Sequence, residues 1–198
     1  MEDKNQTLNK VLVISGPSGV GKDTLMQKIL EKYPDKFKKG VTNTSRKIRE
    51  GEKEGINYYY VTKEEFIKLK DEGGLVESNF YNGNYYGLSK RELENGTKSE
   101  KILYVVIDIN GAKSVFDLKI PANFIGILPP NEEILEKRLR GRGTESEEKI
   151  KGRLEIAKTE VKRIKESEFI NFRIINDDLD KAALEMEEKL KSLYPQLK

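Results

Sequence analysis

Val11-Leu12-Val13-Ile14-Ser15-Gly16-Pro17-Ser18-Gly19-Val20-Gly21-Lys22-Asp23-Thr24-Leu25 decides how this chain reads. An apolar run of strand length, Val11 to Ser15, enters a glycine turn, and Thr24 to Leu30 continues with helical patterning. Strand, glycine turn, lysine and helix in that order are the context of a P-loop. Glycines let backbone N–H groups turn inward without a Cβ clash, and a helix N-terminus adds partial positive charge there. Lys22 then reaches the outer phosphates of a nucleoside triphosphate. An ordinary glycine-rich turn is the bland alternative, and the spacing and flanks argue against it. One position departs from the motif. Asp23 stands where a Ser or Thr hydroxyl holds Mg²⁺, and Thr24 lies a further step around a helix of 3.6 residues per turn.

The chain has 198 residues, enough for one domain, or one domain with inserted subdomains, and a real core. Its 37 basic and 34 acidic residues nearly cancel, so the net charge of +3 neither demands nor excludes an anionic partner, and no nucleic-acid partner is expected. There is no cysteine, which excludes disulfides and Cys-ligated zinc. The absence of histidine removes serine–histidine catalysis and His-ligated metals. Charge-positioning chemistry is left. Met1 to Thr7 lacks the basic start and apolar core of a signal peptide, and no apolar run approaches the ~20 residues needed to cross a bilayer. A cytoplasmic location without membrane contact is expected.

Further along, the residue before Pro34 is pushed from helical geometry, so the first helix ends near Tyr33. Short strands are expected at Lys38 to Thr44, Asn57 to Val61, Gly74 to Phe80 and Asn84 to Gly87. Thr62-Lys63-Glu64-Glu65 is a capping box opening a helix to about Asp71. This texture predicts an inserted, mostly antiparallel subdomain over about 38–97. Ile102 to Ile107 and Ala122 to Leu128 are unbroken apolar runs, as strands buried on both faces require. A short helix is expected over Asn110 to Asp117, one capped by Asn131 over Glu132 to Arg140, and a break at Gly141-Arg142-Gly143. Thr144-Glu145-Ser146-Glu147 reads as a second capping box, opening a helix to about Ser167. A last strand, Phe169 to Ile175, and a helix, Asp178 to Leu193, close the chain. The pattern predicts an α/β fold, a parallel sheet flanked by helices.

Three more segments, and a lone aspartate at a strand end, carry chemistry. Arg46 and Arg49, beside Thr42 and Tyr58, suit a phosphate clamp, because guanidinium forks bind oxyanions bidentately and stay charged. A solvated basic loop is the alternative. Glu77, followed by Asn84-Tyr85-Tyr86-Gly87, offers a carboxylate able to accept from guanine N1–H and its amine, a match adenine lacks. Asp108, ending a buried strand, sits where open α/β sheets place ligand groups, or else it caps the next helix. Arg138, Arg140, Arg142 and Arg153 flank the Gly141–Gly143 break and read as a lid over phosphates, or as surface arginines paired with glutamates.

In this order the segments resemble guanylate kinases, from about Val11 to Ala183. The likeness rests on Gly16 to Lys22, Ser45-Arg46-Lys47-Ile48-Arg49-Glu50-Gly51-Glu52, Gly83-Asn84-Tyr85-Tyr86-Gly87, Gly141-Arg142-Gly143-Thr144-Glu145 and Ile175-Asn176-Asp177-Asp178. The resemblance implies a core (about 8–37, 98–130 and 168–198), a GMP-binding subdomain (about 38–97) and a helical lid (about 131–167). It implies Mg²⁺-dependent transfer of the ATP γ-phosphate to GMP, and to dGMP, by a monomer or weak homodimer in purine nucleotide metabolism. ATP would be held by Gly16, Pro17, Ser18, Gly19, Val20, Gly21, Lys22, Asp23, Thr24 and Asn176, with Asp23 toward the metal. Arg46, Arg49, Tyr58 and Tyr86 would hold the GMP phosphate, and Thr42, Glu77 and Asp108 the guanine. Lys22, Arg46, Arg138, Arg142 and Arg153 would carry the transfer.

Three positions depart from that family: Asp23, Val106 in place of an aspartate, and Leu88 where a base-reading hydroxyl is usual, with Ser89 one residue late. Two other readings compete. Guanylate-kinase-like scaffold domains bind peptides, but they typically lack an intact P-loop. A kinase for another monophosphate would not need Glu77 and Asp108.

Overall fold

The computed structural model describes residues 9–81, 83–141 and 146–198. Its organising strand is β1 (Val11–Ser15), which is buried along its whole length. Five parallel strands form the main sheet in the order β2 (Phe37–Lys39), β7 (Ile102–Val106), β1, β8 (Ala122–Leu128), β9 (Phe172–Ile175). Alternation along β1 feeds two cores. Leu12 and Ile14 pack with Leu25 and Ile29 of α1 (Lys22–Lys32) and Met186 of α7 (Leu179–Leu193). Val11 and Val13 face the other way, onto Ala112 and Val115 of α4 (Ile109–Asp117) and Ile164 of α6 (Glu147–Glu166). Burial on both faces explains why these strands read as apolar runs. Because all five run parallel, β1, β7, β8 and β9 end on one edge, and each hands the chain to a segment carrying polar groups there.

A second sheet of four strands has the order β4 (Tyr59–Tyr60), β3 (Asn43–Thr44), β6 (Asn84–Ser89), β5 (Leu75–Tyr81). Its β3–β6 and β5–β6 pairs are antiparallel and its β3–β4 pair is parallel. Helix α2 (Lys63–Asp71) packs on it, opened by the expected capping box of Thr62 and Glu65, and its Phe66 stacks on Tyr85. Helix α5 (Glu132–Arg140), capped by Asn131 as expected, pairs with α6.

Several boundaries differ from the sequence reading. The single strand expected over Lys38 to Thr44 is two strands in two sheets, with the crossing at Gly40 to Thr42. The strand expected over Asn57 to Val61 shrinks to Tyr59–Tyr60, and the last strand starts at Phe172 rather than Phe169. A helix not foreseen, α3 (Lys90–Thr97), leads back to the main sheet. The cap of α6 is Ser146, and Thr144 and Glu145 of the expected capping box lie outside the described residues. No helix among the described residues is long and apolar enough to cross a membrane.

Candidate active site

The glycine turn leaves β1 and closes on α1. Gly21 caps the helix with φ at 95°, a left-handed conformation that glycine adopts freely, and a Cβ there would come within 2.5 Å of Asn176 Nδ2. That side chain, buried at the end of β9, donates to the Val20 carbonyl at 2.8 Å. Lys22 Nζ donates back into the turn, to the carbonyls of Gly16 (2.6 Å) and Pro17 (3.0 Å). Arg153 of α6 reaches the turn directly, donating to Ser18 Oγ at 3.2 Å. Asp23 and Thr24 are exposed on the first turn of α1. Burial, and next the charge of Asp23, raise the Tyr104 phenol, which places Asp23 within electrostatic reach of β7.

The remaining arginines near the break divide. Arg138 donates to the carbonyls of Asn176 (2.8 Å) and Asp177 (3.1 Å), so it fixes the turn after β9. Arg140 pairs with Glu136 and Glu147, the surface-pair alternative. Arg142 lies outside the described residues.

The second constellation sits on the smaller sheet. Arg46 is nearly enclosed: its guanidinium lies over the rings of Tyr58 (5.4 Å) and Tyr60 (5.8 Å) and donates to Glu52 Oε1 at 2.7 Å. Tyr58 meets Tyr86 edge to face, with ring centroids 6.0 Å apart. Glu52 also accepts from the Arg49 backbone N–H and the Tyr60 hydroxyl, each at 2.8 Å. The Arg46 hydrogen bond, ahead of the others, holds its carboxyl down at about 2. The Arg49 side chain is exposed, and Thr42 is half-buried where the chain enters β3. Tyr59 points to the other face of the sheet, into a cavity of about 580 Å³ that holds none of the expected site residues.

Three carboxylates, Asp108, Glu77 and Glu160, are linked through the charge of Asp108. Asp108 caps α4, its Oδ1 accepting from Gly111 N at 2.8 Å, so the capping role set against a ligand role is real. It also faces Glu77. Burial and then the Asp108 charge push the Glu77 carboxyl up to about 7, while the Leu88 backbone N–H pulls it back. Glu160 lies seven residues after Arg153 and four before buried Ile164, on the same stripe of α6. Burial raises its carboxyl, Lys22 opposes this and Asp108 adds to it. Leu88, the direct cross-strand partner of Glu77, is fully buried in the apolar core and carries no hydroxyl, and the Ser89 hydroxyl caps α3 instead.

Glu52, Tyr60 and Glu160 escaped the sequence reading as site residues. Helical phase from Arg153 could have found Glu160. Nothing in the spacing separated Glu52 from its neighbour Glu50.

A family model described as guanylate kinase matches residues 8–193. The guanylate kinase of Schizosaccharomyces pombe is 42% identical over 178 residues, covering 90% of this chain and 88% of that one. That of Synechocystis is 40% identical over 180 residues, covering 91% and 92%. The crystal structure of guanylate kinase from Anaplasma phagocytophilum aligns with a TM-score of 0.61 at 30% identity, over 92% of this chain and 84% of that one. A shikimate kinase from Bacteroides thetaiotaomicron, 14% identical with a TM-score of 0.54, shares the fold alone. The family match spans the glycine turn, both sheets and the helix that carries Arg153, and with these relatives it shows that this chain belongs to the guanylate kinase family.

Proposed function

We propose that the chain transfers the γ-phosphoryl group of ATP to GMP, and to dGMP, giving ADP and GDP with Mg²⁺ as the metal. The observation that carries this reading is the presence of two anion sites, one at the glycine turn of the main sheet and one on the smaller sheet. The glycine turn with Lys22 and Arg153 is one, and Arg46 with Tyr58 and Tyr86 is the other. Glu77 and Asp108 supply the acceptors that guanine N1–H and its amine require.

The chemistry asks little covalent work of the protein. The phosphate oxygen of GMP is already ionised near neutral pH, so no general base is needed. Backbone N–H groups from Gly16 to Lys22 cradle the ATP phosphates, and Lys22 leaves the carbonyls of Gly16 and Pro17 to meet the outer ones. Arg46, Arg49, Tyr58 and Tyr86 hold the acceptor phosphate, and Thr42 faces the guanine with the two acids. Helices α5 and α6 act as the lid. Arg153 and Arg142 bring charge to the transferring group, and Arg138 steadies the turn at Asn176 on the adenine side.

No group of three or more acidic, His or Cys side chains that could hold a metal ion exists among the described residues. The donor set therefore fits an ion that arrives on ATP, with the exposed Asp23 carboxylate as a single hard oxygen ligand. When bound, Mg²⁺ supplies charge neutralisation on the phosphates. The compartment is cytoplasmic in this reading and the enzyme a monomer or weak homodimer. ADP release from ATP and Mg²⁺ with GMP, AMP, UMP or CMP as acceptor tests it. Turnover with GMP alone is expected. A protein that binds GMP but turns over no acceptor would overturn it.

A further inference from the structure

Glu52 is a carboxylate in the middle of a site built for a dianion. Resting on the reading of Arg46 as part of the acceptor-phosphate clamp, we propose that Glu52, with Tyr60, is the positioning residue that preassembles this clamp. Its two oxygens take three donors from three parts of the clamp: Oε1 the Arg46 guanidinium (2.7 Å), Oε2 the Arg49 backbone N–H (2.8 Å) and the Tyr60 hydroxyl (2.8 Å). The Arg49 carbonyl accepts from Glu52 N at 3.1 Å, so the turn between the two arginines is closed from both sides. Arg46 is also tethered to the Lys47 carbonyl (2.8 Å), and its plane is stacked against Tyr58 and Tyr60. Only 11% of the Arg46 side chain and 19% of the Glu52 side chain are exposed, unlike the loose surface pairs elsewhere on the chain.

Two effects oppose each other when phosphate arrives. The Glu52 charge repels it, so removing that charge would tighten GMP if Glu52 merely filled an empty anion site. A guanidinium already fixed in direction loses less freedom on binding, so removing its partner would weaken GMP if Glu52 positions it. The geometry favours the second effect. Glu52 is neutralised by Arg46 at contact distance, and a five-donor fork keeps further N–H groups for an incoming oxyanion. Arg49, whose side chain is exposed, has both its backbone N–H and its carbonyl bonded to Glu52 in this turn.

Steady-state kinetics of Glu52→Gln and Tyr60→Phe, with Tm measured alongside, separate the cases. Expected for Glu52→Gln is a KM for GMP raised about tenfold, with the KM for ATP unchanged. Inhibition by guanosine, which shares the base and lacks the phosphate, stays as in the parent. A structural defect would weaken both ligands together. Tyr60→Phe, which deletes one of the three contacts and keeps the ion pair, shifts the KM for GMP the same way by about threefold, and it decides the question if Glu52→Gln does not fold. A KM for GMP unchanged or lowered in a folded variant overturns the inference. An unmodified chain without GMP turnover overturns the kinase reading instead.

Discussion

Asn176 Nδ2 donates to the Val20 carbonyl at 2.8 Å, which ties the end of β9 to the glycine turn two strands away. The Asn176 Oδ1 is buried and has no hydrogen-bond partner among the described residues, where the side chain is held by this one donation and by Gly21 beneath it. Asn176→Ala leaves a buried carbonyl unpaired, a loss of about 1–3 kcal/mol focused on the turn. The expected outcome is a KM for ATP raised about tenfold with the KM for GMP unchanged, read from kinetics at saturating co-substrate. Equal changes in both constants would place the effect in general stability instead.

In the proposed reading of the glycine turn, Asp23 puts a carboxylate where the phosphate oxygens of ATP would arrive. Two unit charges 4 Å apart repel by about 4 kcal/mol at an effective dielectric of 20, and exposure of Asp23 to solvent lowers that figure. ATP binding measured without metal should therefore tighten about tenfold in Asp23→Ser. The parent should depend more steeply on Mg²⁺, since the metal turns the repulsion into a shared ligand. Superimposable Mg²⁺ titrations of the two proteins would remove Asp23 from the metal site.

The three central strands of the main sheet, β1, β7 and β8, were legible because burial on both faces writes an apolar run, as in Ile102 to Val106. Helix α3 was not, although Ser89-Lys90-Arg91-Glu92 has the spacing of a capped start. Its inner face is Glu92, Leu93 and Gly96, and the glycine is there because a Cβ would lie 2.3 Å from Leu103. A face of one acid, one leucine and one glycine has no apolar period to read. The same limit hid part of the site. Arg46, Tyr58 and Tyr86 stand out as types, whereas Glu52 and Glu160 look like solvated surface in a chain that is 36% charged.

That inner acid has a measurable role. Glu92 is 4% exposed, and its two oxygens accept from Val41 N and the Tyr59 hydroxyl, both at 3.1 Å. It clasps the strand entering the second sheet to the helix leaving it. Glu92→Ala strands the Val41 N–H and should cost about 2–3 kcal/mol. For a chain of this size that lowers Tm by about 5–10 °C. Glu92→Gln, which keeps an acceptor for Val41, should lose less. A Glu92→Ala protein with parental Tm would show that the clasp carries no stability.

Glu77 makes the site pH-sensitive in a direction that can be worked out. Its carboxyl sits at about 7 in the folded protein, against an ordinary value of 4.5, because burial and the Asp108 charge disfavour ionisation. Guanine offers only donors on the edge that this acid reads under the proposed function, so binding there requires the carboxylate. Below about pH 7 a proton must leave first, and affinity should fall about tenfold per pH unit as pH drops. Guanosine is the ligand to use, since GMP adds its own phosphate titration. The same shift acts on stability with opposite sign. The folded state holds the Glu77 proton more tightly than the unfolded chain, so this stabilisation is complete below about 4.5 and is lost as pH rises through about 7. Glu77→Gln should therefore flatten both curves, weakening guanosine binding at pH 8 and removing the decline in Tm between pH 5 and 7. A guanosine affinity in the parent that does not change between pH 6 and 8 would take Glu77 out of base recognition.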